Sequence, residues 1–222
     1  MGESANVLVR VWLPDRPGAL GLVASRVGAV RGDIVGIDVL ERDQGVVIDE
    51  FAVRLADIDL IAVLVKEVEE VDGASVEEVR IVGRFPDPRL DALESAATLC
   101  EAPSSTALGE RLVAQIKREF LAEWSALLRG TEVLASAGDP PDANQLHALA
   151  TGTMASPSVA EGESGPGELA VATLERRGAM LLVGREGQAF RLRERAQLFA
   201  LARVADRAWT LLARTSADDP QP

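Results

Sequence analysis

The chain has 222 residues, a net charge of -12, 47 % apolar residues and 26 % charged ones, the profile of an acidic globular protein with room for two small domains. Both halves are acidic, Tyr is absent, and the five Phe and three Trp are not interleaved with basic residues, which argues against nucleic acid as a partner. Cys100 and His147 are the only residues of their kinds, so neither an internal disulfide nor a Cys-based zinc site can form within one chain, and no metal or cofactor is expected.

The elements follow in chain order. Val7, Val9, Val11 and Leu13 alternate with Leu8, Arg10 and Trp12 as in a strand with one face on a core. Pro14 ends it. Pro17 presets the entry to a helix, and Gly18 keeps side-chain bulk away from that helix's first N–H groups, where a carboxylate would sit well. Leu20, Val23, Ala24, Val27 and Val30 keep helical spacing, and Gly32 is the expected stop. Ile34–Leu40 and Val46–Val53 predict two strands of a hairpin turning at Arg42–Gly45. Helical spacing returns at Ile58, Ile61, Leu64, Val65 and Val68 after Asp57, an expected N-cap, and Val76–Val82 predicts a last strand. The order is βαββαβ.

The run D-R-P-G-A-L at Asp15–Leu20, followed by G-D-I-V-G-I-D-V at Gly32–Val39, resembles the signature of the ACT domains, small ferredoxin-like modules that bind amino acids and regulate metabolic enzymes. The resemblance covers Asn6–Gly83. It implies a ligand site drawn from Leu13, Asp15, Gly18, Ala19, Leu20, Asp33 and Ile34. The ligand's charged backbone groups would meet the turn at Asp15 and the N–H groups of Ala19 and Leu20, with Asp33 reaching in from a second copy. Asp at both polar positions, where amide-binding members carry Asn, favours a ligand ammonium. Leu13 stands where some members carry His. Each residue also has a plain reading: Asp15 as turn former or N-cap, Gly18 as chain geometry, Asp33 as part of a Gly-Asp turn.

Pro86, Pro88 and Pro103 bracket a short helix at Leu90–Glu101 with Asp87 as N-cap, expected to link two domains. Cys100, at helical spacing beside Ala96 and Ala97, is expected to be buried. Leu112, Val113, Ile116, Phe120, Leu121 and Trp124 predict one face of a long amphipathic helix. Strands are expected at Trp124–Leu128 and Glu132–Ser136, a helix at Pro140–Ala150, a mobile loop at Thr151–Gly167, and strands at Leu169–Leu174 and Met180–Arg185. A terminal helix at Leu192–Ala213 would bury Leu198, Phe199, Leu201, Ala202, Ala205, Trp209 and Leu212. This outline, and the run Met180–Leu198, resemble a GAF-like sensor domain without a cyclic-nucleotide signature. His147 lacks a G-x-S-x-G elbow, so a Ser-His-Asp triad is not expected.

The fold class expected is therefore α+β: a ferredoxin-like βαββαβ ACT domain at 1–84, a helical linker at 85–105, a GAF-like antiparallel sheet with packed helices at 106–214, and a disordered tail at 215–222. The expected protein is a non-enzymatic, cytoplasmic homodimer that binds an amino acid or similar small zwitterion and signals to a regulated protein partner. Residues 1–6 show no secretory pattern, and no run reaches bilayer length. The alternative is a dimerisation or partner-interaction module with no small-molecule ligand.

Overall fold

A computed structural model describes residues 3–155 and 168–218. The chain divides into two compact units, Met1–Asp87 and Pro88–Pro222. The class is α+β: two four-stranded antiparallel sheets and, among the described residues, six helices.

The first unit runs β1 (Ala5–Pro14), α1 (Ala19–Ala29), β2 (Asp33–Asp43), β3 (Val46–Leu55), α2 (Leu60–Glu69) and β4 (Ser75–Val82). Its sheet has the order β2-β3-β1-β4 with every neighbour antiparallel, which is the ferredoxin-like arrangement. Period two sends Val7, Val9, Val11 and Leu13 of β1 to the same side as Phe51, Val53 and Leu55 of β3, where Val23, Val27, Leu64 and Val68 of the two helices close a core. Each such side chain contributes roughly 1.5–3 kcal/mol when fully buried. The opposite face carries Arg10, whose Nη2 lies 3.0 Å from Glu50 Oε2, while Arg80 Nη2 lies 2.7 Å from the same oxygen.

Local chemistry explains the joints. Gln44 and Gly45, at φ 45° and 83°, make a two-residue hairpin turn with both central residues left-handed, the hand that matches strand twist. At the end of α1, Arg31 N–H donates to Gly28 O at 2.9 Å and Gly32 N–H to Val27 O at 2.9 Å, with Arg31 at φ 59°. The left-handed residue of this Schellman closure is thus Arg31, not the glycine expected to stop the helix. Gly32 is needed for another reason: a Cβ there would stand 2.8 Å from Val27 Cγ1. Asp57 does not cap α2 directly but accepts from Asp59 N–H at 3.1 Å, one turn earlier in the chain.

The second unit runs α3 (Pro88–Cys100), α4 (Ser105–Glu119), β5 (Trp124–Arg129), β6 (Glu132–Gly138), α5 (Ala143–Met154), β7 (Leu169–Leu174), β8 (Ala179–Gly184) and α6 (Leu192–Asp218), with strand order β6-β5-β8-β7. Leu127 of β5 faces a core with Leu112, Ile116, Leu198 and Trp209, whereas Ala126 and Leu128 face Leu146 and Ala150 of α5. A sheet covered on both faces is why β5, β7 and β8 read as nearly continuous apolar runs rather than alternating ones. The Trp124 ring lies on the backbone of Gly184, where a Cβ would meet it at 2.3 Å.

Several expectations are corrected here. The segment expected as a linker contains α3, which belongs to the second unit because Leu99, fully buried, joins the core of α4 and α6. Cys100 is exposed, one residue past that buried position. Leu121 leaves the α4 stripe at φ 50° and is exposed, and Trp124 opens β5, because the helix stops at Glu119. Phe199 is exposed, and Ala208 takes a place in the buried face of α6 instead. The proposed loop Thr151–Gly167 begins as helix, since α5 runs to Met154, and its residues 156–167 lie outside the described residues. In the proposed tail 215–222, α6 extends to Asp218, and residues 219–222 lie outside the described residues.

Candidate functional site

The β1–α1 turn is built from Pro14 to Gly18. Asp15 N–H donates to Gly45 O at 2.7 Å, tying the turn to the β2–β3 hairpin, and Arg16 reaches Asp72 through its Nη2 at 3.3 Å. Gly18 then opens α1 as its N-cap at φ 90°, a left-handed conformation that only Gly adopts without strain. Leu22 N–H takes Gly18 O at 3.0 Å and Ala19 N–H takes Arg16 O at 3.3 Å, while no side chain caps the helix and its first turn holds no acidic residue. The N–H groups of Leu20 and Gly21 are left without a partner, both on exposed residues. These carry the positive end of the helix dipole and suit an anion.

The seven residues singled out by sequence are not all brought together. Asp15, Gly18 and Leu20 stand at the turn. Ala19 is buried and its N–H is already used, so the free donors are at Leu20 and Gly21. Leu13 is 2 % exposed and part of the core, and Ile34 packs against that core as well. Asp33 pairs with Arg54 at the far end of β2, whereas Asp15 adjoins the end where Pro14 meets Val46. Eight residues of strand separate those ends, about 25 Å at 3.3 Å per residue. Within one chain, Asp15 and Asp33 therefore do not share a site. Asp33 is solvent-exposed and lies 3.7 Å from Arg54 Nη1.

The residue that sequence reading passed over is Asp49. It pairs with Val11 of β1 and Val39 of β2, so its side chain enters the helix-packed face beside the same end of the sheet as the turn. Asp49 is 4 % exposed, and its Oδ1 has no hydrogen-bond partner. Burial pushes its carboxyl above the ordinary range, Arg42 pulls it down, and Asp15 pushes it further up. Arg42 itself is held to Asp15, with Nε 3.4 Å from Oδ2. The signal was present in V-V-I-D-E-F-A-V, where Asp49 has the inward parity of Val47, Phe51 and Val53. Among the described residues no three His, Cys, Asp or Glu side chains are grouped as a metal site. No helix there is long and apolar enough to cross a membrane.

Two solved structures are similar to part of this chain. One is the ACT domain of the GTP pyrophosphokinase of Chlorobium tepidum, 13 % identical, covering 38 % of this chain and 92 % of that one, with a TM-score of 0.30. The other is an uncharacterized protein of Thermotoga maritima, 17 % identical, covering 36 % of this chain and 99 % of that one, with a TM-score of 0.30. No family model matches the chain, and no curated protein matches it.

Proposed function

We propose that this chain is a non-enzymatic regulatory protein whose first unit binds an amino acid or a related small zwitterion at the β1–α1 turn. The observation that carries the reading is the open start of α1, where Gly18 at φ 90° leaves the N–H groups of Leu20 and Gly21 without partners. A ligand carboxylate would take those donors, and carboxylates at the same end of the sheet would take its ammonium. The signature resemblance of Asp15–Leu20 and Gly32–Val39 to ACT domains supports the same class of ligand. No catalytic role is assigned to any residue, and the second unit is proposed as the part that passes occupancy to a partner. A melting-temperature screen against the twenty amino acids tests this: a ligand at 100 times its dissociation constant adds about 2.7 kcal/mol. No shift with any of them would refute ligand binding.

A second reading, a homodimerisation or partner-interaction module without a ligand, is favoured by β2. This edge strand exposes Val35, Ile37 and Val39 together with one row of backbone groups. Light scattering separates the two readings when combined with the screen. A dimer that no amino acid stabilises would favour the module.

A further inference from the structure

We propose that Asp49 is the acceptor for the ligand's ammonium group and that the ligand is an amino acid with an aliphatic side chain. The inference rests on the site reading above and goes beyond it by assigning the cation-binding group and the side-chain class.

Three carboxylates could serve, and the geometry separates them. Asp33 is at the wrong end of the sheet. Asp15 already has Arg42 within 3.4 Å of its Oδ2. Asp49 alone combines burial with an oxygen that has no partner. A buried carboxylate oxygen with no donor is a cost to the folded protein unless a cation or proton meets it. A metal ion is a poor occupant, since no cluster of three ligating side chains is grouped among the described residues. An ammonium carried by a molecule whose carboxylate sits on the α1 N–H groups needs only one such oxygen.

The side-chain class follows from the neighbours on the same face. Val39 is directly opposite Asp49 in the β2–β3 register and is 47 % exposed, and Ile37, opposite Phe51, is 40 % exposed. Apolar surface left open beside a buried acid suits an aliphatic group attached to the same carbon as the ammonium. Arg42 adjoins this surface: it pairs with Val47, two residues from Asp49 on that face, and its guanidinium is held by Asp15 with Nε 3.4 Å from Oδ2.

Calorimetry on the full chain decides the matter with L-leucine, isocaproate (leucine without its ammonium group) and L-serine as probes, against wild type and Asp49→Asn. The expected result is wild-type affinity for leucine about tenfold or more above that for isocaproate, with serine weaker than leucine. In Asp49→Asn, with circular dichroism confirming the fold, leucine should fall to the level of isocaproate while isocaproate is unchanged. Equal binding of leucine and isocaproate by wild type, or a preference that survives in Asp49→Asn, would overturn Asp49 as acceptor and leave the α1 site standing. Serine tighter than leucine would overturn the aliphatic assignment. If no probe carrying a carboxylate binds at all, the α1 site fails, and this inference with it.

Discussion

Asp49 stands directly opposite Val11 across β1 and β3, so a carboxylate occupies the side of the sheet from which Val11, Phe51 and Val53 pack against α1 and α2. Its stability cost has a definite pH signature. Burial is the main reason its pKa is raised, with Arg42 opposing and Asp15 adding. The folded protein therefore binds this proton more tightly than the unfolded chain. Stability from this group is greatest at low pH and falls as pH rises from the ordinary carboxylate range through the raised folded value.

Asp49→Asn should accordingly raise the stability of the unliganded protein at neutral pH by about 1 kcal/mol, since it removes a buried charge without a full set of partners. The gain should shrink toward zero as pH drops below the ordinary carboxylate range, where both side chains are uncharged. Urea denaturation across pH measures this. A difference between variant and wild type that does not change with pH would refute the ionisation argument.

The two left-handed positions flanking α1 should respond in opposite directions. A Cβ at Gly18 meets nothing within 4 Å, so Gly18→Ala adds only backbone strain and should cost about 1–2 kcal/mol. Arg31 already bears that strain at φ 59°, so Arg31→Gly should stabilise the unit by roughly 0.5–1 kcal/mol. Thermal unfolding of both variants checks the signs. A stabilising Gly18→Ala would contradict the backbone geometry. Larger substitutions at Gly18 test the site poorly, because positive φ makes the fold itself respond.

The parts of this protein legible in sequence were those fixed by local chemistry. The turn at Pro14–Gly18 was marked by two prolines and a glycine, the hairpin by Gly45, and the order βαββαβ by two switches of apolar period. What escaped depends on tertiary context. Asp49 sits in a run of β-branched and aromatic residues that reads as a strand whatever its fourth member does, and only the register with Val11 shows which face it enters. Docking of α3 hangs on Leu99 finding a core made by α4 and α6, which the flanking prolines could not reveal. Asp33 and Asp15 lie close in sequence, yet α1 between them carries the chain the length of the sheet. Leu13, the position where some ACT members carry His, and Ile34 both have the parity that directs them to the core.

Glu119 gives the second unit a pH dependence of the same sign. Its Oε2 lies 2.9 Å from Ser95 Oγ, Gln197 donates to Oε1, and Gln115 Nε2 reaches Ser95 Oγ at 2.5 Å. Burial raises the Glu119 pKa, the hydrogen bonds from Ser95, Gln197 and Gln115 lower it, and Asp91 raises it. Stability contributed here falls as pH climbs through the raised value. Glu119→Gln should flatten that part of the pH profile, whereas Glu119→Ala should cost about 1–3 kcal/mol at every pH by leaving Gln197 without this acceptor and Ser95 Oγ with Asp91 O alone. Denaturation curves for the two variants across mildly acidic to neutral pH separate charge from hydrogen bonding, and a wild-type slope retained in Glu119→Gln would remove Glu119 as its source.

Arg185 fixes the segment that carries the chain from β8 into α6. Its guanidinium is 3 % exposed and donates from Nη1 to Phe120 O at 2.9 Å, from Nη2 to Ala189 O at 2.8 Å, and through both nitrogens to the Glu194 carboxylate at 2.9 and 2.8 Å. It also stacks 4.0 Å from the centre of the Phe190 ring. A planar fork matches all of these acceptors at once, and an ammonium cannot. Arg185→Lys should therefore behave as the loss of a buried pair, costing about 3 kcal/mol despite retaining the charge. Glu194→Gln, which keeps one acceptor and the backbone partners, should cost less. Equal stability of Arg185→Lys and wild type in urea would show that charge alone holds this segment, and the fork geometry would have no part in it.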